Sequence, residues 1–450
     1  MRILLLPALC WSLMISTAMA PANAAESVQS DITAIGNSLE DFFSAALDYS
    51  PRLRIAEENL NIGSARERQA LGQLLPQLNA TAAVNNNRRE SGPQFQEFNG
   101  ERYSVALTQT LFNWQAFAAR KRAAAEENEA EAEYYFELAF VLTDVAEKYF
   151  NVLQAQDALT SISAELDAVR NQLEQVQSLF DRQLAQVTDL RQAQASLTQV
   201  QAQQIRLQAE LALAQESLRS ASGLDVGDLF TLRDNVTVPG VDESVQHWVQ
   251  LARENNQQIL ARQYALEAAE EGISERRGAY LPNVSLIAQR QTSNLGFDNA
   301  LIGDTDITFV GVNVNIPLYS GGTRRAQVQE ARGIRGIAEN ELRQIELQAG
   351  ERVRSAYLQV QASKTLTEAA EALVESTEIA AESMQEGYEL GTVTSVDVLN
   401  ALRDQFQAER DLQRTRYEHI IYLLALKREA GILAPEDMLE VGTWLQPAAQ

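Results

Sequence analysis

The chain repeats itself, because its second half carries the landmarks of its first half in the same order, about 206 to 208 positions later. The paired landmarks are Leu75-Pro76 with Leu281-Pro282, Leu111-Phe112 with Leu318-Tyr319, Phe180 with Tyr388, and Asp189 with Asp397. Each half contains an amphipathic helix, two short alternating segments, a very long helical run, a tip and a helical return. We place the two repeats at residues 25–240 and 241–434, followed by a C-terminal tail at 435–450.

The N-terminal residues are typical of a secretory signal peptide. Arg2 supplies a positive charge, an apolar stretch follows it, and Ala22–Ala24 has the small-x-small form of a cleavage site. We therefore assign residues 1–24 to a signal peptide and expect the mature chain to begin at Ala25.

The only cysteine, Cys10, lies inside that apolar stretch, and Leu9 rather than a small residue precedes it, which argues against a lipoprotein site. The mature chain is therefore expected to contain no disulfide and no thiolate metal site. No later stretch has the roughly 18 consecutive apolar residues of a membrane-spanning helix. We expect the mature chain to be either periplasmic or inserted in the outer membrane through strands.

The charge balance narrows the possible functions. Sixty-one acidic residues against 37 Lys and Arg give a net charge of −24, which repels nucleic acid phosphates. Such a field suits a cation-attracting channel, although a solvated acidic surface explains most of it. The only histidines, His247 and His419, lie in helical patterns and are assigned structural roles. No GxxxxGK loop occurs, and we expect no cofactor, no metal and no catalytic chemistry.

Two runs predict unusually long helices. Trp114 to Phe180 and Thr323 to Tyr388 lack proline and are rich in Ala, Glu, Gln, Leu and Arg. At 1.5 Å per residue, each helix would span on the order of 100 Å. Shorter helices are predicted from Leu39 to Gln73 and from Glu243 to Gly278, each followed by a Leu-Pro step that ends it.

The apolar spacing near the tips follows the 3,4 repeat of a coiled coil, so each half is expected to fold back as an antiparallel hairpin. The predicted seam of the first half contains Leu166, Val169, Leu173, Val176 and Phe180, and its return helix contributes Leu190, Ala193, Leu197, Val200, Gln204, Leu207, Leu211, Ala214 and Leu218. The predicted seam of the second half contains Leu366, Ala370, Leu373, Thr377, Ala380 and Met384. Frequent alanine suits hairpins packed side by side into a sheath, but a simple two-helix coiled coil fits the seams equally well.

Each half also predicts two strands separated by a polar loop. The predicted strands are Leu78 to Asn87, Arg102 to Phe112, Val284 to Thr292 and Ile307 to Leu318, and the loops are Arg88 to Glu101 and Ser293 to Asp306. Their alternation of apolar with small or polar residues is what a membrane β-barrel requires. Four strands cannot close a barrel, so a barrel would be shared between chains. The alternative is a half-buried sheet in a soluble periplasmic protein.

The ordered set of motifs resembles the TolC family of trimeric outer-membrane channel proteins over nearly all of the mature chain. The motifs are the two Leu-Pro junctions, TLFNWQ and PLYSGG at the strand-to-helix steps, and the tips FDRQLAQVTDL and YELGTVTSVDVLNA. The resemblance implies an α+β membrane protein: a homotrimer with a 12-stranded β-barrel, four strands per chain, and a periplasmic α-helical barrel narrowed at its coiled-coil tips.

The resemblance also implies roles for tip residues. Asp397 and Asn400 match the two positions that line the pore constriction, and threefold symmetry would make Asp397 a ring of three carboxylates that attracts cations. Tyr388 matches a tyrosine that holds the tips closed by reaching an aspartate, here Asp189, beside Thr188. Without the resemblance, Asp397 and Asp189 are equally well explained as first-turn acids that stabilise helix starts.

The chain departs from the family pattern at three positions. Asn400 is uncharged where the family has a second acid, Val393 replaces a tip arginine that helps to hold the channel shut, and Gln183 replaces the usual glycine of the first tip, whereas Gly391 keeps that of the second. We therefore predict a weaker cation-binding ring and a closed state held by fewer links.

The function implied is an exit duct of a tripartite efflux or type I secretion system in the outer membrane of a Gram-negative cell. Partners would be a periplasmic adaptor, docking at Leu184 and at Leu390, Gly391 and Thr392, and an inner-membrane ABC or RND-type transporter that supplies the energy. The alternative is a periplasmic coiled-coil scaffold that never inserts. We expect the 435–450 tail to pack outside the helical sheath.

Overall fold

The computed structural model describes residues 35–447 except 92–93, 234–235, 237 and 296–300. The predicted signal peptide and the last three residues of the tail lie outside the described residues. The helices are α1 (Leu39–Tyr49), α2 (Pro51–Gly72), α3 (Trp114–Asp181), α4 (Val187–Ser222), α5 (Val245–Asn255), α6 (Gln257–Gly278), α7 (Thr323–Glu389), α8 (Ser395–Glu429) and α9 (Pro435–Thr443). The strands are β1 (Ile35–Gly36), β2 (Gln77–Ser91), β3 (Gln94–Phe112), β4 (Asp225–Val226), β5 (Thr231–Leu232), β6 (Asn283–Leu295), β7 (Leu301–Asn315) and β8 (Leu445–Gln446).

The two long helices are confirmed. Helix α3 has 68 residues and α7 has 67, and both end within one residue of the predicted positions. Each is therefore on the order of 100 Å long. Asn113 begins α3, since its side-chain oxygen accepts a hydrogen bond from the Ala116 amide at 3.2 Å. The return helices α4 and α8 complete two hairpins, which we call hairpin 1 (α3 and α4) and hairpin 2 (α7 and α8).

The prediction of one continuous shorter helix in each half was wrong, because both segments break after about three turns. In the first half Ser50 lies between α1 and α2 in an extended conformation, which is the conformation favoured before a proline such as Pro51. In the second half Asn256 takes the same place without a proline, and its side-chain oxygen accepts from the amides of Gln258 and Ile259. A side-chain cap thus ends one helix and begins the next.

The four long strands form one antiparallel sheet in the order β2-β3-β6-β7. The strands are longer than predicted, because most of each predicted loop continues the ladder. Only the predicted end of the fourth strand at Leu318 was too late, since β7 ends at Asn315. In the first half the pairing runs out to Ser91 opposite Gln94. Backbone hydrogen bonds continue an antiparallel ladder whatever the polarity of the side chains, so the end of apolar alternation does not mark the end of a strand.

The predicted seam of hairpin 1 is confirmed, and that of hairpin 2 is largely wrong. Leu166, Val169 and Val176 are buried, and so are their α4 partners Leu190 and Val200. In hairpin 2, by contrast, the predicted seam leucines are exposed: 56% for Leu366 and 50% for Leu373. The buried residues of this part of α7 are instead small: Val360, Ser363 and Ala381. Helix α7 carries leucines on one face and small residues on a neighbouring face. Spacing alone could not show which of the two faces is buried within the hairpin, and the prediction chose the wrong one.

The largest apolar core lies where α1, α3, α4, α8 and α9 meet. Its fully buried aromatic residues are Phe42, Tyr149 and Phe150, with Tyr417 beside them. The tail belongs to this core, because α9 buries Met438 and Val441 there, while β8 pairs with β5. The short strands β1 and β4 pair with each other beside the C-terminal end of α4.

Candidate functional site at the hairpin tips

The tip of hairpin 1 is a tight turn with one strained residue. Gln183 has a φ of 61°, a left-handed conformation that is unfavourable for any residue with a Cβ. This conformation turns the chain so that the Leu184 amide donates to the Leu179 carbonyl at 2.8 Å. Hydrogen bonds of this kind close the end of a helix and leave the next residues exposed. The backbone is therefore strained at Gln183, the position where the family pattern has a glycine.

The tip of hairpin 2 makes the same turn without strain. Gly391 has a φ of 74°, and the Thr392 amide donates to the Gly387 carbonyl at 2.8 Å. Gly387 itself was missed in the sequence. A Cβ on it would lie 3.2 Å from both the Thr392 hydroxyl oxygen and a methyl carbon of Val393, so the turn packs closely against the end of α7.

Asp397 begins α8 as part of a capping box with Thr394. The Asp397 carboxylate accepts from the Thr394 hydroxyl at 2.6 Å and from the Thr394 amide at 2.9 Å, while the Asp397 amide donates to the Thr394 hydroxyl oxygen at 3.3 Å. These hydrogen bonds, the one from the side chain above all, lower the pKa of Asp397. The carboxylate is exposed, so Asp397 is the helix-start acid considered from the sequence, and its place at the pore constriction stays a prediction.

Asn400 lies one turn further along α8, on the same exposed side of the helix as Asp397. It lines a half-open cavity of about 310 Å³ between α3, α4 and α8. The other lining residues include Glu165, Arg403 and Arg410. Asn400, predicted to line the constriction, therefore carries no charge of its own but adjoins a cavity that contains charged groups.

Tyr388 and Asp189, the predicted closing pair, approach one another across the two hairpins. Partial burial raises the pKa of Tyr388, and the negative charge of Asp189 raises it further. The two side chains, both in the described part of the chain, are not hydrogen-bonded to each other. Asp189 instead accepts from the Gln186 amide at 3.4 Å, and the Thr188 hydroxyl lies 3.4 Å from the same carboxylate. The structure brings the pair together without joining it.

The four predicted docking residues are exposed at the ends of the hairpins. Leu184 is 73% exposed and Leu390 is 80% exposed, and Gly391 and Thr392 are exposed beside them. Large apolar side chains held in this way at rigid turns are suited to contact a partner.

A polar seam between the hairpins had no signal in the sequence. Arg410 of α8 forms an ion pair with Glu165 of α3 at 2.8 Å, and both side chains are almost fully buried, with exposures of 10% and 4%. Further from the tips, the Tyr417 hydroxyl donates to Asp157 at 2.6 Å, and burial raises the pKa of Asp157. The partners are about 245 to 260 positions apart in sequence, so no local pattern could pair them.

The opposite end of the long helices carries the sheet, one face of which is largely apolar. Directly opposed residues share a face, and one row across the sheet consists of Leu78, Leu107, Ala288 and Val310. The same face also carries charged residues: Arg290 lies opposite Val105 and Thr308, and Asp306 lies opposite Thr292. The Arg290 side chain is exposed.

In the described ranges, no helix is both long enough and apolar enough to cross a membrane. The same ranges contain no group of three or more Asp, Glu, His or Cys side chains placed to hold a metal ion. His419 is buried and its Nδ1 lies 2.7 Å from the Ser363 hydroxyl, as suits a structural role, whereas His247 is exposed.

Fold and tips together define a class: channel proteins built from duplicated long hairpins with a strand pair in each half. Comparison with known proteins agrees, because the family profile described as outer membrane efflux protein matches residues 42–224 and again 248–431. The chain therefore belongs to the outer membrane efflux protein family. It is an outer-membrane protein that serves as an exit duct, and the family is one of transport channels rather than of enzymes.

Individual relatives span nearly the whole chain. The outer membrane protein TolC of Vibrio cholerae is 28% identical over 91% of this chain and 94% of its own length. The alkaline protease secretion protein AprF of Pseudomonas aeruginosa is 24% identical over 91% of this chain and 87% of its own. Among solved structures, the outer membrane protein VceC of Vibrio cholerae shares the fold with a TM-score of 0.75 at 21% identity, covering 87% of this chain and 96% of that one. A periplasmic scaffold, the alternative left open by the sequence, does not fit this family.

Proposed function

We propose that three copies of this chain form a passive duct whose gate is the ring of hairpin tips. The supporting observation is that a single chain has a four-stranded sheet with two unpaired edges, β2 and β7, and an apolar face. Open edges are not stable in lipid, and the smallest membrane barrels have about eight strands. Three copies supply twelve strands and leave no edge.

The helical part supports the same assembly. Large apolar side chains remain exposed on one helix of each hairpin, and they suit packing of α4 of one copy against α7 of the next. These residues are Ile205 and Leu213 on α4 and Leu347, Leu358, Leu366 and Leu373 on α7. The exposed leucines that the sequence placed in the wrong seam therefore have a role between copies.

At the constriction, Asp397 is the residue that sets ion selectivity. In the trimer it forms a ring of three carboxylates, and the hydrogen bonds from Thr394 that lower the pKa of Asp397 favour its charged form. Asn400 adds a polar but uncharged ring one turn further in, so cation preference depends on a single acidic ring.

The working cycle needs partners, since the chain has no energy source of its own. An adaptor docks at Leu184, Leu390, Gly391 and Thr392, an inner-membrane ABC or RND-type transporter delivers the cargo, and outward movement of the tips opens the duct. Separation of Tyr388 from Asp189 and Thr188 accompanies opening. Residues 1–24 are removed on export, the repeats at 25–240 and 241–434 and the 435–450 tail form the mature duct, and no cofactor takes part.

The test is single-channel recording of the purified mature protein in planar lipid bilayers across a KCl gradient. We expect long-lived steps with a cation-selective reversal potential that moves towards zero in Asp397→Ala and in Asp397→Asn. Asp48→Ala removes the same charge from α1, far from the tips, and serves as the matched control. Steps whose selectivity is equal in all four proteins would refute the Asp397 ring, and absence of steps from folded protein would refute the duct.

A further inference from the structure

The two hairpins of one chain are joined by directional contacts at particular levels only. Closest to the tips, the buried Arg410–Glu165 ion pair is supported by Ser161, whose hydroxyl lies 3.4 Å from the Arg410 guanidinium and donates to the Phe406 carbonyl at 3.4 Å. Seven residues further from the tips comes the Tyr417 bond to Asp157.

From this level to the tips, the hairpins are not joined by hydrogen bonds. All of residues 166–190 and 385–405 are described, and within these two ranges no hydrogen bond or ion pair passes from hairpin 1 to hairpin 2. The contact there is apolar: Leu399 of α8 packs against Ile162, Leu166 and Val169 of α3. Along the hairpins towards the tips, the contact between them therefore changes from polar to apolar at Arg410.

These two kinds of contact resist movement differently. Apolar packing is non-directional, so Leu399 can shift along the α3 surface while it stays covered. A buried ion pair cannot, because separating the two groups leaves an uncompensated charge out of water. Movement of hairpin 2 relative to hairpin 1 is therefore resisted most strongly at Arg410 and Glu165, and the segment between that pair and the tip is the part that can swing.

We propose that the Arg410–Glu165 ion pair is the pivot of the gate, positioning the distal segment of hairpin 2 against hairpin 1. This proposal rests on the proposed function, since it concerns the same gate. Arg410 lies 13 residues beyond Asp397 on α8, so the swinging segment is about 20 Å long. A tilt of about 10° at the pivot displaces Asp397 by roughly 3 to 4 Å, and three such displacements widen the ring.

The pivot also explains how the tips stay closed without the links that the family resemblance implied for them. Val393 has no charge to offer, and Tyr388 is not hydrogen-bonded to Asp189, so the tip itself supplies little directional restraint. The ion pair and the apolar contact of Leu399 then carry the closed state.

The test combines a distance measurement with conductance. Since the mature chain has no cysteine, Leu184→Cys and Leu390→Cys place spin labels on the two tips, and electron–electron resonance at sparse labelling reports the distance between hairpins in the detergent-solubilised trimer. The pivot is tested by Arg410→Gln and Glu165→Gln, singly and together. The control is Arg170→Gln, which removes an exposed arginine that pairs with Asp167 within α3 only.

We expect each single variant to broaden the distance distribution and to raise the resting conductance at least threefold. The control should change neither quantity. In the double variant the two amides can pair, so most of the restraint should be recovered. The pivot would be overturned if the folded single variants had unchanged distances between the tips. It would also be overturned if the double variant broadened the distance distribution as much as the two single variants added together. If Arg410→Gln yields no trimer, Arg410→Lys keeps the charge but not the guanidinium geometry, and it must broaden the distances. Changed distances without any channel activity would support the pivot and refute the duct, so the two failures are distinguishable.

Discussion

The two tips allow a paired prediction, because the same turn is built with glutamine in one hairpin and glycine in the other. Gln183 has a φ of 61° and Gly391 a φ of 74°. A residue with a Cβ in this region costs about 1–2 kcal/mol, whereas glycine there costs about 0.5–1 kcal/mol in lost unfolded-state freedom. Gln183→Gly should therefore stabilise the first turn by about 0.5–1 kcal/mol, and Gly391→Ala should destabilise the second by about the same amount.

The assay is hydrogen exchange at the amide that closes each turn, measured on the intact trimer. The Leu184 amide bonds to the Leu179 carbonyl, and the Thr392 amide bonds to the Gly387 carbonyl. Since about 1.4 kcal/mol corresponds to a factor of ten, exchange at Leu184 should slow about two- to fivefold in Gln183→Gly, and exchange at Thr392 should quicken by about the same factor in Gly391→Ala.

Gln183→Ala is the matched control, because it removes the side chain but keeps the Cβ and hence the strain. No Cβ contact complicates the second substitution, since space around Gly391 is open. Equal exchange at Leu184 in the glycine and alanine variants would refute the argument that backbone strain limits the first tip. Unchanged exchange at Thr392 in Gly391→Ala would refute it for the second.

Two further predictions concern the body of the duct. Gly431 has a φ of 75°, and a Cβ on it would lie 2.4 Å from the Asn255 backbone, so Gly431→Ala should sharply reduce the yield of folded trimer, as measured by size-exclusion chromatography, whereas Gly442→Ala, in open space, should not. Burial lowers the pKa of His419, helped by the charge of Lys364 and opposed by the carbonyls of Pro239 and Val238. Below about pH 6.5 the unfolded chain therefore takes up a proton that the folded chain excludes, and the thermal midpoint should fall as the pH drops from there towards the folded pKa. His419→Asn, which can still bond to Ser363, should have a smaller fall, and an identical pH dependence of the midpoint in both proteins would contradict this assignment.

The sequence predicted the parts of the fold that depend on local pattern. Helix α3 was placed within one residue, since 68 residues without proline leave few alternatives. The breaks at Ser50 and Asn256 were missed, because a single capping residue can end a helix without disturbing its apolar period. Leu366 was assigned to a seam within hairpin 2 but is exposed in the single chain, because coiled-coil spacing does not show which partner covers a leucine.

The residues of the candidate site also differ in whether a local sequence pattern could identify them. Asp397 could be found from the sequence, because a Thr-x-x-Asp pattern at a helix start is local, and resemblance to a known family supplied its predicted role at the constriction. Arg410 and Glu165 could not be found, because each looks like an ordinary charged residue on a helix until the fold brings α8 against α3. Residues that join elements far apart in sequence are those that a one-dimensional pattern cannot pair.

The distribution of charge in hairpin 2 supports a restraint on the proposed gate away from its tips. Residues 365–402, the whole distal part of hairpin 2, contain seven glutamates and Asp397 but not one lysine or arginine. In the proposed trimer, three copies that converge on one axis would bring these acids together, and their mutual repulsion would favour an open ring. Asp397 also supplies the proposed cation preference, so its charge cannot be neutralised without loss of that selectivity. A positive charge that holds hairpin 2 against hairpin 1 must therefore lie beyond this segment, and Arg410, buried against Glu165, is placed to do so away from the proposed constriction.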